Sequence, residues 1–498
     1  MSPTNAPAVA QICRRLQGVP LAIELVAAHI NDMSPEEMLA RPDGGIALLA
    51  RGPRDAPPRH KTMGRAIEWS YDLLDEAEKR LFRRLSVFIG GFTLEAAEFV
   101  SGPQESSRGS VLERLTSLKN KSLIVRRDSA GESRFTMLEV IREYAVERLT
   151  ASGEEETLKR RHAEFFRDIA EISVPRLQGE PLLATLNVLE AEIGNLRAAM
   201  HWSINTRDAE MGLRIAGPLR RFWHMRDHTS EARKWLEILL SIDDVEVPGL
   251  VKARGLGAAG LFAEFQGDFQ LATALIQNGL DLIRETGDRA VTADLGRLLA
   301  GTFLRQKEND RALPLLQESL ITYRELGADW HVAATLNDLW CVAIKTGEYH
   351  TSVALGERSL ALFEELKDKR CVAMAANNLA LSLTKMGRFE EAPAYLRRSL
   401  RLAQEIEDTA WILGCFETGA GLACGLRQFQ HAVLLLSLDD ASRVEMTLPR
   451  QPFDVGNYEA AMAAARSALS PEDFRVAWEK GQAMTVEEGV SYALNELC

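Results

Sequence analysis

Few places in this chain could do chemistry. Residues 433–440 read "VLLLSLDD", an apolar run closed by an acidic pair, the pattern in which a carboxylate at a strand end holds magnesium through water. That chemistry also needs a Gly-rich turn ending in Gly-Lys-Ser/Thr, whose amides cradle phosphates while the lysine counters their charge. The dipeptide Gly-Lys occurs nowhere in the 498 residues, and the run is in phase with a helical repeat described below, so it reads as a core helix. Gly255, Gly257 and Gly260 spell the dinucleotide fingerprint Gly-x-Gly-x-x-Gly, but "VPGLVKA" before them makes a poor strand, and Gly260 belongs to the repeat. The nine histidines include no His-Glu-x-x-His, and no serine sits in Gly-x-Ser-x-Gly. Glu154, Glu155 and Glu156 form a charge run, read as a solvated linker face rather than an acid–base pair. Cysteines 13, 341, 371, 415, 424 and 498 form no Cys-x-x-Cys and no zinc-ligand spacing, as expected of thiols in a reducing compartment. No catalytic residue and no metal site are expected, and the chain is read as a non-enzyme.

The elements around these residues say more. The composition, 46% hydrophobic and 26% charged, is that of a folded globular chain of about three domains. The N-terminus lacks a secretory signal and no run approaches a membrane span, so a cytoplasmic protein is expected, with no membrane partner. A net charge of −12 counts against nucleic acid, whose affinity rests on Lys and Arg neutralising phosphates. Residues 60–150 hold fifteen Lys and Arg against fourteen Asp and Glu, which is no basic stripe.

From about residue 228 the chain repeats every forty residues. Ala232, Ala272, Ala312, Ser352, Ala392 and Ala432 are all small; Leu240, Leu280, Leu320, Leu360 and Leu400 are all leucine; Gly260, Ala300, Trp340, Ala380 and Ala420 are small in four of five cases. Turns keep the same step, at Gly287-Asp288, Gly327-Ala328-Asp329, Lys367-Asp368 and Glu407-Asp408. Each unit holds two apolar stretches of helical spacing, for example Leu313, Leu316, Leu320 and Tyr323, parted by breaks such as Gly347-Glu348-Tyr349. One hairpin cannot bury its own apolar face, so the units must stack into a superhelical α-α solenoid with a concave side.

Ahead of the array, "RPDGGIALLARGPRDAPPRH" is a loop. Ile67, Trp69, Leu73 and Leu74 suggest one helix and Leu81, Leu85 and Phe88 a second, with Thr93 and Ser110 as N-caps of those that follow. Two β-prone runs flank Asp128-Ser129-Ala130-Gly131, a hairpin. Helices followed by a hairpin is the order of a winged helix, in which "SVLERLTSLKNKSLI" would be the groove-reading helix, flanked by Lys119 and Lys121. The segment's near neutrality argues against DNA binding by this chain alone.

Several motifs resemble known families. "GRFEEA", residues 387–392, resembles tetratricopeptide repeats, whose usual period is shorter, and is similar to the longer-period arrays of bacterial regulators. "RHKTMGRAIEWSYDLLDEAEKRLFRRLSVFIGGFTLEAAEFV" and "RFTMLEVIREYA" resemble the winged-helix part of bacterial STAND regulators, signal-transduction ATPases related to NB-ARC switch proteins. "GVPLAIELVAAHI" resembles the GLPL motif of the helical domain before it, and residues 458–494 are similar to the segment that closes the repeat array. The resemblance implies a mainly α chain: 1–58 a remnant helical domain and linker, 59–150 a winged helix, 158–227 degenerate helical hairpins, 228–448 the array and 449–498 a helical cap. In that family a phosphate-loop ATPase domain precedes the GLPL turn and a LuxR-type helix-turn-helix often follows the array; both are expected to be missing here. Pro20 falls at the proline that packs on adenine, or is simply a helix-start residue. Leu138, in Met137-Leu138-Glu139, replaces the family histidine that bonds a nucleotide phosphate and cannot make that bond. No cofactor is therefore expected, and ATP or ADP only if a missing domain is supplied.

The function expected first is a regulatory module whose groove binds a protein, a peptide or a small inducer, with self-association also open. Trp330, Asn337, Trp340, Asn377 and Asn378 are the candidate liners; Trp340, breaking a column of small residues, marks either a ligand contact or a local repacking. The alternatives are a nucleotide-dependent switch ATPase and a DNA-binding transcription factor acting through the winged helix.

Overall fold

The computed structural model describes residues 6–15, 20–27, 30, 34–40, 58–102, 108–129, 132–242, 246–284, 287–446, 448, 450 and 455–497. They form two compact units. The loop read at 41–60 lies largely outside the described residues, as do Ala130 and Gly131 at the hairpin turn.

The first unit opens with helices α1 (Ala6–Arg15), α2 (Pro20–Ala27), α3 (Pro35–Ala40) and α4 (Pro58–Asp72), α2 packing on α4. Helix α5 (Glu76–Arg84) starts where Asp75 and Glu78 cap it reciprocally, Asp75 accepting from the Ala77 and Glu78 amides at 2.8 Å. Strand β1 (Phe92–Thr93), α6 (Leu94–Ser101), α7 (Arg108–Asn120), β2 (Val125–Ser129) and β3 (Glu132–Thr136) follow, with antiparallel strand order β1-β3-β2. Thr93 caps α6 as its position suggests, accepting from the Ala96 amide. Helix α7 is already formed at Arg108, two residues ahead of the Ser110 read as its N-cap. Leu81, Phe82, Leu85, Phe92, Val111, Leu115, Leu118 and Leu123 are all buried in the core of this unit. The winged helix thus has the expected elements, plus a short strand ahead of α6.

Helix α8 (Glu139–Ser152) and the 22-residue α9 (Glu155–Arg176) lead to α10 (Leu182–Ala191), α11 (Ile193–Asn205), α12 (Ala209–Ala216) and α13 (Arg220–Met225). Of the stretch read as degenerate hairpins, residues 184–226 fall in the compact unit of the winged helix and residues 174–183 in the other. Asn195 explains part of this: its amide donates to the Gly91 carbonyl at 2.8 Å and its oxygen accepts from the Ile89 amide at 2.7 Å. The Glu154–Glu156 run is not a free solvated face. Glu154 accepts from Arg83 and Arg84, and Glu156 from the Trp202 indole at 3.1 Å.

The second unit holds α14 (Thr229–Leu240) and five helical hairpins: α15 (Gly249–Phe265) with α16 (Phe269–Arg284), α17 (Arg289–Arg305) with α18 (Asn309–Glu325), α19 (Asp329–Thr346) with α20 (Tyr349–Glu365), α21 (Lys369–Lys385) with α22 (Ala392–Glu405), and α23 (Thr409–Gly425) with α24 (Phe429–Met446). Helices α25 (Val455–Ala468), α26 (Pro471–Gln482) and α27 (Val486–Glu496) close it. The fold is mainly α, a winged helix and a tetratricopeptide-like solenoid.

The forty-residue step is visible in the backbone. Asp227, Gly267, Lys307, Gly347, Gly387 and Arg427 all take the left-handed conformation at one phase of the repeat, and Gly287, Gly327, Lys367 and Glu407 take it at the joins between hairpins. Asp288, Asp368 and Asp408 cap the first helices of their hairpins. A further column clasps the two helices of a hairpin together. Ser319, Ser359 and Ser399 donate to the carbonyls of Ala293, Ala333 and Ala373 at 2.9, 3.0 and 2.7 Å. Such bonds need closely approaching helices, and Gly279, the equivalent residue one repeat earlier, would place a Cβ 3.2 Å from the Ala253 carbonyl. Gly257 and Gly260 allow similar approaches to α15: a Cβ would fall 2.4 Å from Leu295 of the next hairpin and 2.5 Å from Ile276 of its own. They are helix-crossing residues.

Candidate functional site

The first helix of each hairpin from α17 onward carries a polar residue at one position of the repeat: Arg297, Asn337, Asn377 and Glu417, each forty from the next. The following residue in three of these helices is Asp338, Asn378 or Thr418. Side chains of adjacent repeats meet here. Arg297 donates to Asp338 at 2.9 Å, and the Asn378 amide donates to the Asn337 oxygen at 2.7 Å. Burial raises the Asp338 carboxyl, against the pull of Arg297. One repeat earlier, Glu264 accepts from Thr302 at 2.8 Å and Arg305 at 2.5 Å; burial raises its carboxyl above the usual range, and Arg305 offsets part of that rise.

Three members of the column keep a buried polar atom with no partner among the described residues: Arg297 Nε, Asn377 Oδ1 and Glu417 Oε2. Leaving such an atom unpaired costs about 1–3 kcal/mol. These three atoms fall at one phase of the repeat, on the first helices α17, α21 and α23.

At the far end of the column three carboxylates share two guanidiniums. Glu417 accepts from Arg450 at 2.6 Å and Arg443 at 3.2 Å; the fully buried Asp439 accepts from Arg443 at 2.8 Å and also from Arg450; Asp440 accepts from Arg450 at 2.9 Å and the Tyr458 hydroxyl at 2.6 Å. Burial and the neighbouring Glu417 carboxylate push Asp439 up to about 7. This is where "VLLLSLDD" lies, in the interior of α24 and not at the end of a strand. Among the described residues no group of three His, Cys, Asp or Glu could hold a metal ion.

Of the five candidate liners, the structure brings Asn337 and Asn378 together, with Asn377 next to Asn378 on α21. Trp330 stands at the start of α19, its indole donating to Asp368 at 3.0 Å and its ring edge-on to Phe363. Trp340 is not a liner. It is 1% exposed and donates to Ser382 at 2.7 Å, so the large side chain in the small-residue column repacks the core. Sequence reasoning missed Arg297, Asp338, Glu417, Glu264 and Arg305; stepping forty residues either way from Asn337 and Asn377 would have found the first and third.

Pro20 is the exposed first residue of α2, and Leu138 is the exposed N-cap of α8, offering no side-chain donor. On the winged helix, Lys121 is held by Glu78 at 2.7 Å, and among its described side chains α7 exposes Leu112, Glu113, Thr116, Lys119 and Asn120, with Arg114 half-buried. Burial alone would raise Glu78, but the hydrogen bonds of Lys121 and Ser117 outweigh it and hold the carboxyl below its ordinary value. No described helix is long and apolar enough to cross a membrane.

Comparison with known proteins agrees with this architecture. Residues 74–150 match the family model of a winged helix-turn-helix domain, and residues 331–405 that of a tetratricopeptide repeat. The chain is 38% identical over 302 residues to a Mycobacterium tuberculosis protein that carries the name putative HTH-type transcriptional regulator Rv0890c, covering 58% of this chain and 34% of that one. It is 37% identical over 164 residues to the uncharacterized protein Rv0894 of the same organism, covering 33% of this chain and 42% of that one. The chain thus spans about a third of the length of the first relative and less than half of the second. Among solved structures it is similar to the Pyrococcus horikoshii signal-transduction ATPase with a tetratricopeptide repeat sensor, at a TM-score of 0.52 and 15% identity, over 96% of this chain and 74% of that one. At that identity the likeness is one of fold. The chain carries a winged helix-turn-helix domain followed by tetratricopeptide repeats, and it is a relative of proteins named as HTH-type transcriptional regulators.

Proposed function

We propose that the chain is the sensing part of a non-enzymatic, STAND-type transcriptional regulator, acting in the cytoplasm, and that its helical array holds an extended protein or peptide segment along the first helices of the hairpins. The observation that carries this reading is the column Arg297, Asn337, Asn377 and Glu417, with its three unpartnered buried atoms. A peptide backbone offers a donor and an acceptor at every residue, which suits a line of amides and charged groups repeated once per hairpin. A small inducer would use fewer of these groups, and the length of the column favours the peptide.

A nucleotide enters this reading only through a separate domain. DNA reading is not favoured by the face of α7, because specific binding needs several phosphate contacts together with base-edge readers. The test is to pan a random-peptide display library against the full chain and against an Asn377→Ala/Asn378→Ala variant. A consensus enriched on the wild type and lost on the variant supports the proposal. No consensus, or the same consensus on both, sinks it.

A further inference from the structure

A second surface of the array has a different chemistry. A cleft of about 740 Å³ is lined by Glu180, Glu364, Lys367, Lys369, Val372, Ala394, Arg397, Arg398, Arg401 and Leu402. It lies between α22 and the turn that joins α20 to α21, and none of the column residues on the first helices lines it. Its size is that of a ligand site, roughly 300–1,000 Å³.

Five cations face two carboxylates there, in a chain of net charge −12. The two acids are already engaged: Glu364 pairs with Arg398, and Glu180 lies 3.9 Å from Lys367. Lys369 is satisfied by Glu405 at 2.5 Å. Arg397 and Arg401 are left with no ion pair among the described residues. They stand four residues apart on one face of α22, so their Cβ atoms are about 6 Å from each other. Alternate side chains of an extended chain project on the same side about 6.6 Å apart, which matches that spacing. Val372, Ala394 and Leu402 give the cleft an apolar part against which the backbone of such a segment can lie.

We infer that this cleft is a docking site for an acidic peptide segment with carboxylates at alternate positions, one on Arg397 and one on Arg401. Charge complementarity selects this occupant over a nucleic acid. Glu180 and Glu364 sit in the wall and would repel a continuous run of phosphates, whereas discrete carboxylates can be placed to avoid them. The site does not depend on the reading of the first-helix column, and the two can be tested separately.

The experiment is fluorescence anisotropy on the full chain at low salt, with a labelled peptide of alternating Glu and Ala as probe. Its Gln/Ala counterpart and a labelled oligothymidylate serve as comparisons. Saturable binding is expected for the Glu peptide, weakened about tenfold by Arg397→Gln/Arg401→Gln, weakened by added salt, and unchanged by Asn377→Ala/Asn378→Ala. Both arginines are outside the core, so the variant should keep the wild-type circular dichroism and melting. Equal binding of the Gln peptide, binding of oligothymidylate as tight as that of the Glu peptide, indifference to the arginine substitutions, loss through the asparagine variant, or no saturable binding would each overturn the assignment.

Discussion

Replacing Asp439 by Asn should make the protein more stable at neutral pH than at acid pH relative to wild type, and the reason is a charge imbalance in the α23–α24 core. Glu417, Asp439 and Asp440 share Arg443 and Arg450, so one negative charge is in excess in a site where Asp439 is fully buried. Burial and Glu417 raise Asp439 from 3.8 to about 7 in the folded state. The folded chain therefore holds a proton that the unfolded chain has released between about pH 4 and pH 7, and stability falls as pH rises through that window. Each tenfold change in proton affinity corresponds to about 1.4 kcal/mol, so the ceiling on this loss is about 4 kcal/mol. Asparagine cannot titrate, keeps the shape, and leaves two carboxylates for two guanidiniums. Variant stability minus wild-type stability should then climb with pH from about 4 to about 7 and level off above. Urea unfolding or hydrogen exchange of α24, measured on both proteins at each pH, reads this difference directly. A difference that stays flat with pH would show that Asp439 is ionised throughout and would rule out the charge excess as the cause.

Other substitutions test the repeat itself. Leu320→Asp places a carboxylate in a buried column and should unfold its own hairpin and loosen hydrogen-exchange protection in α16 and α19, since neighbouring repeats share one core; unchanged melting would show that the register is wrong. Trp340→Phe removes the indole donor to Ser382 and should cost about 1–3 kcal/mol while leaving peptide capture intact, whereas lost capture with unchanged melting would restore Trp340 to the site. Ser359→Val should destabilise by a similar amount, because the added methyl group enters the close approach to the Ala333 carbonyl; a neutral effect would show that the approach is loose. Calorimetry should find no saturable binding of ATP or ADP to this chain, and micromolar ADP binding would overturn the view of Leu138.

The array was legible because its period is long and strict. Alanine, leucine and turn columns forty residues apart can be checked by subtraction, and from Leu280 onward the leucines, like the small residues, are buried while the turns are left-handed. The winged helix was legible from caps and hairpin pattern, although Ser110 misled: a residue suited to capping also tolerates the first turn of a helix that starts upstream. The site was half legible. Asn337, Asn377 and Asn378 stand out in the sequence as polar residues within an apolar array, whereas Arg297 and Glu417, in the same column, look like the charges that helices ordinarily hold on solvated faces. Trp340 was ambiguous in principle, since periodicity shows that a column is broken and not toward which side the large residue turns. The arginine-rich cleft could not be read from spacing, because it joins residue 180 to residues 364–402 through the folding of the chain.

Each serine and the carbonyl it grips lie twenty-six residues apart, inside a single hairpin. Each of these three units therefore brings both halves of its own fastening with it. A gene segment of forty codons covering one of these three hairpins could be copied or excised, and the others of the three would still close on themselves. The length of the stack would then change in fixed increments, with no new joint to invent.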